Sequence, residues 1–249
     1  DLGIAGYGQI RVENFAGYPA TIEREIVFIK NAGVVIKDTL SLGLDLETRW
    51  GPQYRARNLG PDFGTNWVNT YIGEWVPLRG LNVNASVYTR WRNSPRDLLI
   101  YFLPEKGGNM LVVDESDKDK TLPLPLRVEY ILRDPMKKDL PQSSTTLLLP
   151  HAPGNGKPYA DKVRTLLNDP LRTVLQFTDA NGATNLVILN HTGHPLTAAG
   201  ITTDAKVACL QTRGNTTTVA LYGGTTCLQG SKDLTKLAPP AKANVVPGP

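Results

Sequence analysis

The residues best suited to chemistry crowd into one stretch. Residues 49–102 hold all four tryptophans (Trp50, Trp67, Trp75, Trp91), four tyrosines (Tyr54, Tyr71, Tyr88, Tyr101), Phe63 and Phe102. Seven arginines lie among them: Arg49, Arg55, Arg57, Arg79, Arg90, Arg92 and Arg96. A sugar ring carrying carboxylate or sulfate suits that mixture, because the ring stacks on an aromatic face while a guanidinium takes the anion in two parallel hydrogen bonds. The substrate-binding candidates are therefore Arg49, Trp50, Arg55, Trp67, Trp75, Arg90 and Trp91. The same mixture also describes a core rimmed by salt bridges, which is the commoner use of large aromatics.

Cleaving a uronic-acid polysaccharide by β-elimination needs a group that neutralises the carboxylate and a base, Tyr or His, that removes the C5 proton. Tyr54, Tyr71 and His151 are the candidate bases, with Arg49, Arg55 and Arg90 as neutralising groups. His151 ends the apolar run Leu-Leu-Leu-Pro-His, where a hydrogen-bonded structural histidine is the commoner outcome. His191 and His194 are spaced for a metal, but no carboxylate or cysteine lies close in sequence to complete a site, and a surface turn is the simpler reading. No nucleophile elbow, phosphate loop or dinucleotide fingerprint occurs, and neither a metal nor a cofactor is expected.

A chain of 249 residues can bury a sizeable core and reads most simply as one large domain or two small ones. The net charge of +4 is dispersed, without the lysine-rich block or basic helix that would indicate nucleic acid. No stretch is apolar for the length a membrane helix needs, so no span is expected. The opening Asp-Leu-Gly-Ile has neither the basic start nor the apolar run of a signal peptide, which is expected to have been removed or never present. Cys209 and Cys227 are close enough in sequence to form one disulfide in an oxidising compartment, or to be two buried thiols. Asn84, Asn190 and Asn215 each begin a glycosylation sequon, which matters only in a source that glycosylates secreted proteins.

The elements that must position these residues read as strands. Alternation of apolar and polar side chains predicts strands over residues 8–15, 21–30 and 34–42, the last two joined by an Asn-Ala-Gly turn at 31–33. Residues 44–50 continue this meander, and the periodicity then fails between 51 and 81, which predicts an ordered loop packed on a sheet. Strand signals return at 84–89, 98–103, 110–114, 126–132 and 145–149, and residues 114–120 read as a solvated turn. A short helix is expected over 159–168, with Val163, Leu166 and Leu167 as its apolar side. Two hairpins follow, 172–178 with 184–189 around Asn181-Gly182, and 206–212 with 217–222 around residues 213–215. About fourteen short strands and one helix predict a large antiparallel, supersandwich-like β-sandwich over residues 1–234 and a Pro-rich tail over 235–249.

Six segments then carry a family resemblance: residues 24–30, 34–38, 97–104, 146–153, 203–210 and 219–225. Their order and hydrophobic signatures resemble the C-terminal β-sandwich of heparinase II/III-like polysaccharide lyases across most of residues 8–230. The resemblance implies an extracytoplasmic protein, secreted or periplasmic, that handles acidic polysaccharide. In that family a helical toroid supplies most of the catalytic Tyr, Asn and His, with another His near the junction. This chain has no toroid and no histidine before His151. The resemblance therefore implies a sandwich that binds acidic polysaccharide without cleaving it alone, paired with a separate helical half or other subunits. Two further readings stay open: a cell-surface or matrix assembly protein built on the same sandwich, and a lyase domain using its own Tyr and Arg.

Overall fold

The computed structural model describes residues 3–47, 50–56, 59–70, 73–77, 86–90, 96–105, 108–114, 126–132 and 135–237. For residues 16, 55–56, 59–63, 70, 73–77, 86–90, 109, 111–114 and 126–129 the description is of the backbone alone.

The first half of the chain forms β1 (Ala5–Val12), β2 (Ala20–Ile29), β3 (Gly33–Leu42), β4 (Gln53–Ala56), β5 (Leu59–Phe63), β6 (Trp67–Thr70) and β7 (Gly73–Pro77). It continues through β8 (Ser86–Arg90), β9 (Asp97–Phe102), β10 (Gly108–Asp114), β11 (Leu126–Leu132) and β12 (Gln142–His151). After the short helix α1 (Lys157–Ala160) come β13 (Arg164–Asn168), β14 (Arg172–Thr178), β15 (Thr184–Asn190), β16 (Leu196–Ala198) and β17 (Ile201–Thr203). The last strands are β18 (Val207–Arg213), β19 (Thr216–Tyr222), β20 (Cys227–Gln229) and β21 (Lys232–Asp233).

The pairings are antiparallel, and the protein is an all-β sandwich. A seven-stranded sheet, β1-β2-β3-β12-β9-β6-β5, faces a five-stranded sheet, β13-β14-β15-β18-β19. Their facing sides form the central core, with Val27, Val35, Leu99 and Leu147 from one and Leu175, Phe177, Val187 and Leu189 from the other. The period of two sends the alternate residues outward. Val174, Ile188 and Leu210 therefore leave the far side of the five-stranded sheet to pack on Ile201 and Cys227 of the sheet β16-β17-β20-β21. On the far side of the seven-stranded sheet, Ile100 and Phe102 meet Tyr130 and Leu132 of the sheet β10-β11-β4. Among the described residues these four sheets stack as layers, with an apolar seam between each adjacent pair. Residues 186–189, Leu-Val-Ile-Leu, are apolar without alternation because β15 is covered on both faces.

Turn chemistry set the hairpins. Asn31 takes a φ of 59° between β2 and β3, Gly182 a φ of 78° between β14 and β15, and Gly214 a φ of 56° between β18 and β19. Those three turns and their flanking strands lie where the sequence puts them, and residues 126–132 and 172–178 match to the residue.

Three expectations are corrected. The helix over 159–168 shrinks to Lys157–Ala160, and Arg164–Asn168 is a strand on β14 with a bulge between Thr165 and Leu167. That bulge leaves Leu166 exposed while Val163 enters the central core, so the apparent helical face was an irregular strand. Among the described residues of 44–50, no strand forms, and the bridges are isolated ones, Leu46 to Met136 and Trp50 to Leu132. Within 51–81, β4 to β7 replace the expected loop, and β5 and β6 extend the seven-stranded sheet. Of the expected tail, Thr235–Leu237 form a short 3-10 turn, and residues 238–249 lie outside the described residues.

Candidate ligand-binding cleft

A cleft of about 600 Å³ opens where the turns of the two central sheets meet. The β2–β3 hairpin brings Phe28 and Asn31, the segment before β9 brings Arg96, the β14–β15 turn brings Asn181, and the end of β18 brings Arg213. Phe28 is a large apolar residue left 50 % exposed in mid-sheet. Its cross-strand neighbours explain this: Gly6 on one side has open space where a Cβ would stand, and Val34 on the other is small. The Asn181 amide donates to the Asn31 carbonyl oxygen at 3.1 Å and ties the two turns together.

No Asp or Glu lines the cleft among the described residues. The neighbouring carboxylate, Asp179, is turned inward, where it accepts from the Asn181 and Ala183 backbone N–H groups at 2.8 and 3.1 Å and from the Asn185 amide at 3.1 Å. Two exposed guanidinium groups therefore set the charge of the rim. They come from different layers, beside an exposed ring, and that combination suits an anionic sugar.

The residues singled out in the sequence are distributed differently. Trp50 is partly buried between the outer core clusters, and its indole N–H donates to Gln142 Oε1 at 2.9 Å. Trp67 packs against the central core under Gly64, where an added Cβ would fall 2.2 Å from the indole nitrogen. Tyr54 packs on Phe102 with ring centroids 5.9 Å apart, and Phe102 stacks on Tyr130 at 5.1 Å. The Tyr54 hydroxyl is buried near Thr146 but outside hydrogen-bond geometry, and burial pushes its pKa up. Arg49, Tyr71 and Trp91 lie outside the described residues, and Arg55, Trp75 and Arg90 are described as backbone only, on β4, β7 and β8. Of the whole aromatic and arginine-rich stretch, Arg96 is the described side chain that reaches the cleft. Phe28, Asn31, Asn181 and Arg213 escaped sequence reasoning. The two turns were legible, but their meeting depends on how the sheets stack.

His151 is fully buried and holds the turn after β12. Its Nδ1 faces the Ala152 carbonyl oxygen at 2.7 Å, its Nε2 faces Asn69 Oδ1 at 2.8 Å, and its ring stacks on Tyr159 at 4.4 Å. Asn69 in turn donates to the Gly154 carbonyl at 2.9 Å, and Gly154 N–H donates to Asp97 at 2.9 Å. These bonds fix the chain on either side of Pro150 and Arg96 in the cleft wall.

A second polar cluster lies between the two central sheets. Glu25, only 2 % exposed, meets His191 Nε2 at 2.7 Å and accepts from the Tyr7 hydroxyl at 2.5 Å, with Lys206 Nζ 3.9 Å away. Burial alone would raise the pKa of Glu25, but its bonds to His191 and Tyr7 outweigh that and hold it below the usual value. Burial, followed by the Glu25 hydrogen bond and charge, pushes the Tyr7 hydroxyl far up. Deeper in, Lys37 donates to the Asp169 carbonyl at 2.8 Å and to Thr173 Oγ1 at 3.0 Å, and burial drives its pKa down to about 8. Asn168 donates to Glu105, whose burial pushes its pKa up to about 7.

His191 and His194 do not assemble a metal site: the first turns inward to Glu25, the second is exposed, and no group of three potential ligands occurs among the described residues. Cys209 and Cys227 are free thiols, not a disulfide, because one enters the central core and the other the outer seam on the opposite face of the five-stranded sheet. Asn190 is buried, with its amide donating to the His194 carbonyl at 2.8 Å and its oxygen accepting from Thr192 Oγ1 at 2.8 Å. Asn215 stands exposed in the β18–β19 turn, and Asn84 lies outside the described residues. No helix among the described residues is long and apolar enough to cross a membrane. No protein-family model and no curated protein matches the chain.

Proposed function

We propose that this chain binds acidic, uronic-acid-containing polysaccharide as the β-sandwich part of a heparinase II/III-like lyase, and does not cleave it without a separate helical half. The observation that carries this reading is the cleft of about 600 Å³ that joins Arg96 and Arg213 to the exposed Phe28 with no carboxylate in its described lining. Each guanidinium can take one carboxylate in a paired hydrogen bond while the ring offers a stacking face. An extracytoplasmic location follows from the same reading. The test is affinity electrophoresis of the full chain in gels containing a polyuronate. Retardation should weaken as salt rises, and Arg96→Ala or Arg213→Ala should each lower affinity about tenfold, the loss expected for a charge-assisted pair. Retardation unchanged in both variants would sink the cleft as the binding site. Ultraviolet absorbance of an unsaturated product, formed by the chain alone, would favour a self-sufficient lyase.

One observation favours the assembly reading. The outer part of β1 and the segment after it expose Ile10, Val12, Phe15 and Tyr18 along the edge of the seven-stranded sheet. An exposed apolar edge strand is a ready pairing surface. Concentration-dependent association in sedimentation, lost in Ile10→Lys, with no polyuronate binding, would place this reading first.

A further inference from the structure

We propose that the space between the two central sheets beside Glu25 is a second carbohydrate site, one that takes an uncharged sugar ring or short polyol. A cleft of about 270 Å³ opens there, lined by Arg11, Glu23, Thr39 and Ser41 from β1 to β3 and by Pro170 and Leu171 from the turn before β14. That volume is just below the range of pockets for drug-sized ligands, so it takes a single ring.

The rows of side chains across β1, β2, β3 and β12 make the cleft polar, because residues directly opposite on paired strands share a face. One inward row, Tyr7-Val27-Val35-Leu147, belongs to the central core. The next, Gln9-Glu25-Lys37-Thr145, is polar and is met by the protein itself. Lys206 donates to Gln9 at 2.8 Å, Tyr7 to Glu25, Lys37 to Thr173 at 3.0 Å and Thr145 to Asn168 at 3.1 Å. The third row is Arg11-Glu23-Thr39-Ser143, and its first three members line the cleft. Its fourth, Ser143, is 3 % exposed, and its Oγ has no hydrogen-bond partner among the described residues. Inward polar rows are unusual in a sandwich and buried hydroxyls are ordinarily paired, so a row of this kind at an open cleft is where the hydroxyls of a ligand bond.

The lining narrows the ligand. A guanidinium only donates, a carboxylate only accepts, and the hydroxyls of Thr39 and Ser41 do both, which matches vicinal hydroxyls that each donate and accept. The charges favour no ion: Glu23 stands 3.9 Å from Arg11, and Glu25 has His191 at 2.7 Å and Lys206 at 3.9 Å. Pro170 and the half-exposed Leu171 offer an apolar wall to the C–H face of a ring. This site shares no lining residue with the cleft of Arg96 and Arg213, so either can fail alone.

The experiment is NMR of the full chain titrated with D-glucose, D-mannitol, dextran and D-glucuronate. At least one uncharged probe should take up saturation from the protein and shift the assigned ring resonances of His191, which lines the cleft, while those of exposed His194 stay in place. Arg11→Ala and Leu171→Ala, which replace half-exposed side chains outside the core, should each lower affinity about fivefold, the scale of one hydrogen bond, and Leu166→Ala should match the native chain. Binding of dextran identifies the ligand as a sugar residue within a neutral chain, and binding of the free probes alone identifies a small polyol. Glucuronate should leave the His191 signals unmoved, whatever it does at the other cleft. No saturation of any uncharged probe, His191 signals that stay still as such a probe saturates, or affinity unchanged in both Arg11→Ala and Leu171→Ala would overturn the proposal. Glucuronate moving the His191 signals as far as glucose does would overturn the uncharged ligand.

Discussion

Buried Glu25 and half-buried Glu105 carry opposite pH signatures. Glu25 has its pKa lowered by His191 and Tyr7, so its contribution to stability is present above the unfolded value near 4.5 and is lost as pH falls through the lower folded value. Glu105 is raised by burial to about 7, so its contribution is complete below about 4.5 and is lost as pH rises through 7. Urea midpoints against pH should separate them. Glu105→Gln should gain on the native chain between pH 5 and pH 8, since the amide oxygen still accepts from Asn168 but cannot ionise. Glu25→Gln should instead lose about 2 kcal/mol at pH 7, the scale of hydrogen bonds to a charged group, with the deficit closing below pH 4.5. Parallel profiles for the two variants would contradict these environments. Neither glutamate was marked by the sequence, where both look like ordinary surface residues.

At the scale of elements, the outer three-stranded layer is pinned to the chain at Gly51. An added Cβ there would fall 1.7 Å from the Tyr130 carbonyl oxygen, and the residue has a φ of 153°. The close approach lets the Trp50 and Pro52 carbonyls accept from β11: Leu132 N–H donates to Trp50 at 2.9 Å and Tyr130 N–H to Pro52 at 3.1 Å. Gly51→Ala should therefore destabilise by more than about 2 kcal/mol in urea titrations, as expected where backbone conformation and space both reject a side chain. Gly8→Ala, on a strand with open space around it, should stay within about 0.5 kcal/mol. Equal effects would mean that β11 does not dock on this segment. The sequence marked residues 126–132 as a strand because alternation is local. It could not show that the strand's partners are β10 and β4.

At the scale of the molecule, the three seams differ in what closes them. The four-stranded outer sheet consists of strands of two or three residues, while the central seam joins strands of up to ten. Short strands hold few cooperative contacts, so that outer seam should open at lower free energy. The two thiols report on this directly: Cys209 sits in the central core with its pKa pushed up to about 12 by burial, and Cys227 in the outer seam is also pushed up. Both should resist a thiol reagent in the native chain, and Cys227 should be labelled at lower denaturant than Cys209. Labelling of Cys209 first would invert this order of opening.

Local chemistry alone determined that the chain is all-β, where its last hairpins turn, and which residues alternate, because turn preference and a period of two involve only neighbours in sequence. It misread residues 159–168 for a related reason: a bulged strand can imitate helical spacing over a few residues. Stacking decided the rest. Only the tertiary structure puts Arg96 and Arg213 on one cleft, turns His191 toward Glu25, and spends Trp50, Trp67 and His151 on packing. It also separates the two cysteines by a sheet. Each of those outcomes depends on strands paired across long stretches of chain, such as β12 between β3 and β9, and no local pattern encodes which strand will be the neighbour.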